Sequence, residues 1–119
     1  MREKILLVEG ANDLRKRYQS VLRSFGYNVI AAESGKNALK KLREESVDVI
    51  VMDVVLPDGA GFNYLKKMLA SRRDVKVVIH TDYTDYKSDF NSWLADEFLA
   101  KSEDPTALKS AIRNVLHPN

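Results

Sequence analysis

Two textures of hydrophobic residues alternate along this chain. Ile5-Leu6-Leu7-Val8, Asn28-Val29-Ile30-Ala31-Ala32, Val47-Asp48-Val49-Ile50-Val51-Met52, Val75-Lys76-Val77-Val78-Ile79-His80-Thr81 and Glu97-Phe98-Leu99-Ala100 are short, mostly apolar runs, the third and fourth rich in β-branched residues. Runs of this length predict strands, and the near-continuous apolar character of the third predicts burial on both faces of a parallel sheet. Between them the spacing turns helical. Leu14, Tyr18, Val21, Leu22 and Phe25 mark one helix, started by Asn12 or Asp13 as cap and ended at Gly26. Ser34 caps a second, through roughly Glu45, with Ala38, Leu39 and Leu42 as its apolar stripe. Phe62, Leu65, Met68 and Leu69 mark a third, and Asp104-Pro105 starts a last one that buries Leu108, Ala111, Ile112 and Val115. Residues 82–95 carry Tyr83, Tyr86, Phe90 and Leu94 at helical spacing among poor helix formers, which predicts a fourth helix of low stability.

Strand followed by helix, five times over, predicts an α/β fold: a flavodoxin-like (βα)5 three-layer sandwich whose parallel sheet runs in the order 2-1-3-4-5. Ligands of such sheets gather beyond the carboxyl ends of the strands, at the point where the strand order reverses. That edge collects Glu9, Asp53, Thr81 and Lys101. Read singly, Asp53 is as well explained as a loop cap as by chemistry.

With 119 residues the chain makes one domain over 1–119, and a composition 45% hydrophobic and 30% charged fits a globular protein. Nineteen Lys and Arg against 17 Asp and Glu leave a net charge of +2, too little to indicate nucleic acid or an anionic membrane as a direct partner. The lack of cysteine excludes disulfides and thiolate metal sites. Met1-Arg2-Glu3-Lys4 precedes an apolar run too short for a signal peptide or a span, so a cytoplasmic location is expected. Of two histidines, His80 sits in an apolar strand pattern and reads as packed, and His117 reads as solvated. Arg72-Arg73 reads as a solvated loop, and Asp58-Gly59-Ala60-Gly61 lacks the spacing of a dinucleotide loop.

Together with Met52-Asp53, Leu56-Pro57, Gly61, Tyr83 and Phe98-Leu99-Ala100-Lys101, the four strand-end residues resemble the receiver domain of two-component response regulators, from Lys4 to about Leu116. The resemblance implies a signalling phosphoprotein in which Asp53 accepts a phosphoryl group from a histidine kinase or phosphotransfer protein. Similar domains promote their own phosphorylation and dephosphorylation. It implies Mg²⁺ on Glu9, Asp53 and the backbone carbonyl of Val55, with Lys101 pairing to the phosphoryl oxygens. Thr81 and Phe98 would be the switch pair, and the fourth helix, fifth strand and fifth helix would present the changed face to a downstream protein.

Four departures bear on that expectation. Gly10 stands where similar proteins carry a second acid, which predicts weak Mg²⁺ binding and predicts that Gly10→Asp tightens it. Asp82 follows Thr81 and is a possible substitute ligand, although a solvated residue at a helix start is the simpler reading. Ala60 leaves the third helix without a side-chain cap. Ser102 replaces a proline after the lysine, and since a cis bond without proline costs about 2.5–4 kcal/mol, Lys101-Ser102 is expected to be trans. Retention of Asp53, Thr81 and Lys101 favours a phosphoacceptor; Gly10, Asp82 and Ser102 favour a phosphorylation-independent receiver-like interaction module. The chain stops soon after the fifth helix, so no output domain is expected within it.

Overall fold

The structure, a computed structural model, describes residues 2–86 and 94–118. Strands β1 (Lys4–Val8), β2 (Asn28–Ala32), β3 (Val49–Met52), β6 (Lys76–Thr81) and β7 (Glu97–Ala100) form one parallel sheet in the order β2-β1-β3-β6-β7. Two further strands of two residues each, β4 (Val55–Leu56) and β5 (Gly59–Ala60), pair with each other as a hairpin after β3. Counting sheet strands alone, the order is the expected flavodoxin-like 2-1-3-4-5. The helices are α1 (Asn12–Ser24), α2 (Gly35–Glu44), α3 (Gly61–Ser71) and α4 (Thr106–Leu116).

Successive strand residues point to opposite faces, so each apolar run feeds two cores. Leu6, Val8, Ile50, Met52, Val77 and Ile79 pack on one face with Ala38 and Leu42 of α2 and Leu65 and Met68 of α3. Ile5, Leu7, Val49, Val51 and Val78 pack on the other with Tyr18 and Leu22 of α1 and Leu108, Ala111 and Ile112 of α4. Strand β2 lies at the sheet edge and is only partly buried, which matches its weaker apolar run.

Helix ends divide according to whether a side chain serves them. Ser34 caps α2 by accepting from the Asn37 N–H at 3.1 Å. Gly26 takes φ 98° and ends α1, as its position predicts. The start of α1 differs from expectation: Ala11 is the N-cap residue and no side chain caps the helix, because the Asn12 side chain instead accepts from Arg15. A cap contributes about 1 kcal/mol, whereas fully burying a side chain such as Leu22 contributes about 1.5–3, so packing suffices to hold this helix. Ala60 likewise leaves α3 uncapped by a side chain. Pro105 sits at the N-cap of α4, and Asp104 accepts from the Thr106 N–H at 2.9 Å.

No helix among the described residues is long and apolar enough to cross a membrane. After β6 a single 3-10 turn occupies Thr84–Tyr86. The rest of the expected fourth helix, with Phe90 and Trp93, lies outside the described residues, apart from Leu94 and Ala95, which pack against the α2–α3 core. Arg72 is less free than a solvated loop residue, since its guanidinium donates to the Glu45 carbonyl at 3.2 Å. His117 is exposed but lies 3.0 Å from a Glu3 carboxylate oxygen.

Candidate functional site

Strand register places the site. Val8 pairs with Met52, so the residues that follow, Glu9 and Asp53, leave adjacent strands side by side. Met52 pairs with Ile79 and Thr81 with Ala100, which brings Thr81 and then Lys101 to the same edge. The Lys101 N–H donates to the Thr81 carbonyl at 2.9 Å, fixing the lysine's backbone one step past the ladder. No cis peptide occurs among the described residues, so Lys101-Ser102 is trans as expected.

The four side chains meet. Lys101 Nζ donates to Glu9 Oε1 at 2.5 Å and to Asp53 Oδ2 at 2.7 Å. Thr81 donates its hydroxyl to Asp53 Oδ1, and the Val54 N–H donates to that same oxygen at 2.7 Å. Glu9 Oε2 accepts from the Ala11 N–H at 3.0 Å. Glu9 and Asp53 are each only 6% exposed and Thr81 is fully buried, so these groups are largely removed from water and depend on one another. Burial acts against the Lys101 ammonium, but hydrogen bonds to Asp53 and Glu9 outweigh it and raise its pKa above the ordinary lysine value.

The surrounding backbone holds this arrangement closely. Arg15 donates to the Glu9 carbonyl at 3.0 Å and the Gly10 carbonyl at 3.4 Å, which ties the turn after β1 to α1. Gly61, first residue of α3, donates its N–H to the Val54 carbonyl at 2.8 Å. A Cβ on Gly61 would lie 2.5 Å from the Asp53 carbonyl oxygen, so only glycine lets the helix begin this close.

His80 faces the opposite core, 5% exposed, with the Tyr18 ring set edge-on 4.8 Å away. Burial, and then the nearby Lys101 charge, depress its pKa to about 4. It is therefore neutral at pH 7 and packs as expected. Phe98 is partly buried against the α2–α3 core. Val55 is exposed by 48% on the rim, and its N–H points at Asp53 Oδ1 from 3.5 Å.

For a divalent cation the donor chemistry is suitable: two carboxylates and the Val55 carbonyl are hard oxygen ligands of the kind Mg²⁺ takes, with waters completing its shell. Lys101 Nζ already serves as a cation between the two carboxylates. Among the described residues no third acid or histidine joins them, and Asp82 is exposed. Gly10 is the surprise. A Cβ there would lie 2.7 Å from two ring carbons of Pro57, so the space where a second acid's side chain would begin is filled by the hairpin. That contact bears on the expectation that Gly10→Asp restores a ligand, because the Pro57 ring has to shift before a side chain at position 10 can be admitted.

Residues 5–113 match the family model described as the response regulator receiver domain. One curated relative, "Probable transcriptional regulator ycf27" of Porphyridium aerugineum, is 30% identical over 97% of this chain and 48% of its own length. The chain spans about half the length of the curated relatives it matches. Among solved structures, the response regulator protein TrrA of Thermotoga maritima in complex with Mg²⁺-BeF is 31% identical, over 96% of this chain and 99% of that one, with a TM-score of 0.90. A second structure holds TrrA in complex with the histidine kinase ThkA; it matches at 31% identity over 96% of this chain and 98% of that one, with a TM-score of 0.87.

Proposed function

The chain belongs to the response regulator receiver domain family of two-component systems, and from that premise we propose that it is a phosphoacceptor switch with Asp53 as the acceptor. The observation that carries this reading is the Asp53 carboxylate, buried at the carboxyl edge with Thr81 on one oxygen and Lys101 on the other. The phosphoryl donor is the phosphohistidine of a histidine kinase or phosphotransfer protein, in keeping with the kinase complex formed by the related TrrA.

In the transfer an Asp53 oxygen forms a bond to phosphorus while the phosphorus–nitrogen bond to the donor imidazole breaks. The imidazole takes the electron pair and later a proton, and Asp53 becomes an acyl phosphate. A carboxylate attacking an anionic phosphoryl group accumulates negative charge that must be offset. Mg²⁺ held by Glu9, Asp53 and the Val55 carbonyl would supply part of that offset. Lys101 supplies the fixed part, pairing with phosphoryl oxygens in place of the Asp53 oxygen it now holds. Thr81 releases the carboxylate and hydrogen-bonds a phosphoryl oxygen, and Phe98 follows it inward. The segment after β6, strand β7 and helix α4 then present an altered face to a downstream protein.

We read residues 1–119 as one receiver domain acting in the cytoplasm. Treatment with phosphoramidate or acetyl phosphate, with and without Mg²⁺, tests the proposal by intact mass. The expected result is one added phosphoryl group that needs Mg²⁺ and is absent from Asp53→Asn. A second reading, a phosphorylation-independent interaction module, is favoured by the filling of the second acid's place by Pro57. Failure of the unsubstituted protein to be labelled at any Mg²⁺ concentration would select it.

A further inference from the structure

Asp58 lies outside the strand-end constellation, in the turn of the β4–β5 hairpin, yet both its carboxylate oxygens are engaged. Oδ1 accepts from the Gly35 N–H at 2.9 Å, and Oδ2 accepts from the Lys36 N–H and the Tyr64 hydroxyl, each at 3.0 Å. Gly35 and Lys36 open α2, and Tyr64 belongs to α3. The Tyr64 ring lies so close over Gly35 that a Cβ there would fall 2.2 Å from a ring carbon. A negative charge on the free N–H groups of a helix start is favourable both as a hydrogen-bond acceptor and against the helix dipole.

The other side of the same turn is Pro57, whose ring occupies the space beside Gly10. The hairpin is thereby fastened at two points, to α2 through Asp58 and against the turn after β1 through Pro57. Between Asp53 and those fastenings runs Val55, paired with Ala60 across the hairpin. A two-residue ladder cannot hold itself in place, because isolated hairpins are marginal even when longer.

We infer that Asp58 is a positioning residue of the phosphoacceptor site: through Gly35, Lys36 and Tyr64 it holds the hairpin down on Gly10 and so sets where Val55 stands relative to Asp53. The inference rests on the proposed function for its consequence, the affinity for Mg²⁺, and on the contacts alone for its geometry. It also explains how the site tolerates Gly10. The fastened hairpin takes the room of the second acid, and the two features belong to one arrangement.

The experiment uses the full chain with Mg²⁺ as the probe, titrated by calorimetry at a temperature where circular dichroism shows every variant folded. Asp58→Ala should weaken Mg²⁺ binding about tenfold, as loss of an outer support does in other metal sites, and Tyr64→Phe should weaken it less. The decisive comparison is Gly10→Asp in two backgrounds. Alone it should fail to tighten binding, because Pro57 is held in the way; combined with Asp58→Ala it should tighten binding relative to Asp58→Ala. Equal tightening in both backgrounds would overturn the inference, since it would show that the fastening does not govern the space. A metal-free readout separates this from the phosphoacceptor reading. Amide shifts of Gly10 and Val55 should move in Asp58→Ala, and their constancy overturns the inference whether or not the protein binds Mg²⁺. If the shifts move while the unsubstituted protein binds no Mg²⁺ and takes no phosphoryl group, the fastening stands and the phosphoacceptor reading fails.

Discussion

Tyr18 meets His80 edge-on, with ring centroids 4.8 Å apart and planes inclined by 73°. The contact joins α1 to β6 in the core opposite the hairpin. It leaves a histidine whose surroundings, burial first and then the Lys101 charge, oppose protonation more than Asp53 and Asp82 favour it.

Stability is predicted to fall as pH drops from about 6.5 toward 4. His80 titrates near 4 when folded and near 6.5 when unfolded, so the unfolded chain binds more protons across that window. The full difference corresponds to about 3 kcal/mol. Urea unfolding of wild type and His80→Phe at pH 7 and pH 5 checks it. The variant should lose less stability than wild type on acidification, and equal losses would mean that His80 is not the group responsible.

Lys101→Ala removes the only cation seen between Glu9 and Asp53 among the described residues, leaving two carboxylates with 8% exposed side chains. Breaking such a pair from one side costs about 3 kcal/mol in the absence of metal. Mg²⁺ should recover more stability in this variant than in wild type, because it faces no competing ammonium. Thermal melts with and without Mg²⁺ decide the matter; a smaller Mg²⁺-induced shift in the variant contradicts the prediction.

Thr81→Val keeps the shape of a fully buried side chain and removes the hydroxyl that donates to Asp53 Oδ1. The cost in stability should be about 1–2 kcal/mol, since Val54 still donates to that oxygen but the Tyr83 N–H loses the hydroxyl as its acceptor. Phosphorylation of Asp53 should persist, while the accompanying change in amide shifts along β7 and α4 should shrink. A variant that shows the full wild-type change removes Thr81 from the switch.

Gly10→Ala tests close packing without adding charge. Its Cβ would press on the Pro57 ring, and overpacking of this sort costs about 1–3 kcal/mol. Pro57→Ala should relieve part of that penalty in the double variant, a coupling that a double-mutant cycle measures directly. Strict additivity would show that the two residues do not press on each other.

The gathering of Glu9, Asp53, Thr81 and Lys101 is legible in the sequence because each stands at the end of an apolar run, and strand order alone then brings run ends together. Ser34 and Gly26 are legible for a local reason: one caps and one takes a positive φ within a few residues of their own position. Much of what escapes depends on partners far along the chain. Asp58 looks like an ordinary turn residue until Gly35, 23 positions earlier, is placed against it. The β4–β5 hairpin is too short for any periodicity to register. Ala11 displaces Asn12 as the α1 cap because Arg15 claims the Asn12 side chain, a competition that composition does not reveal. Gly10 shows as a missing carboxylate in the sequence, whereas its closeness to Pro57 is visible only in three dimensions.

The bond from the Ala11 N–H to Glu9 Oε2 makes one backbone amide an internal reporter. Its proton is shielded from solvent only while that carboxylate stays turned toward it, so the hydrogen-exchange rate at Ala11 follows how Glu9 divides itself between Lys101, the proposed Mg²⁺ and the start of α1. An isotope-exchange time course at this single position would follow the occupancy of the acid pair without a label, a dye or a partner protein.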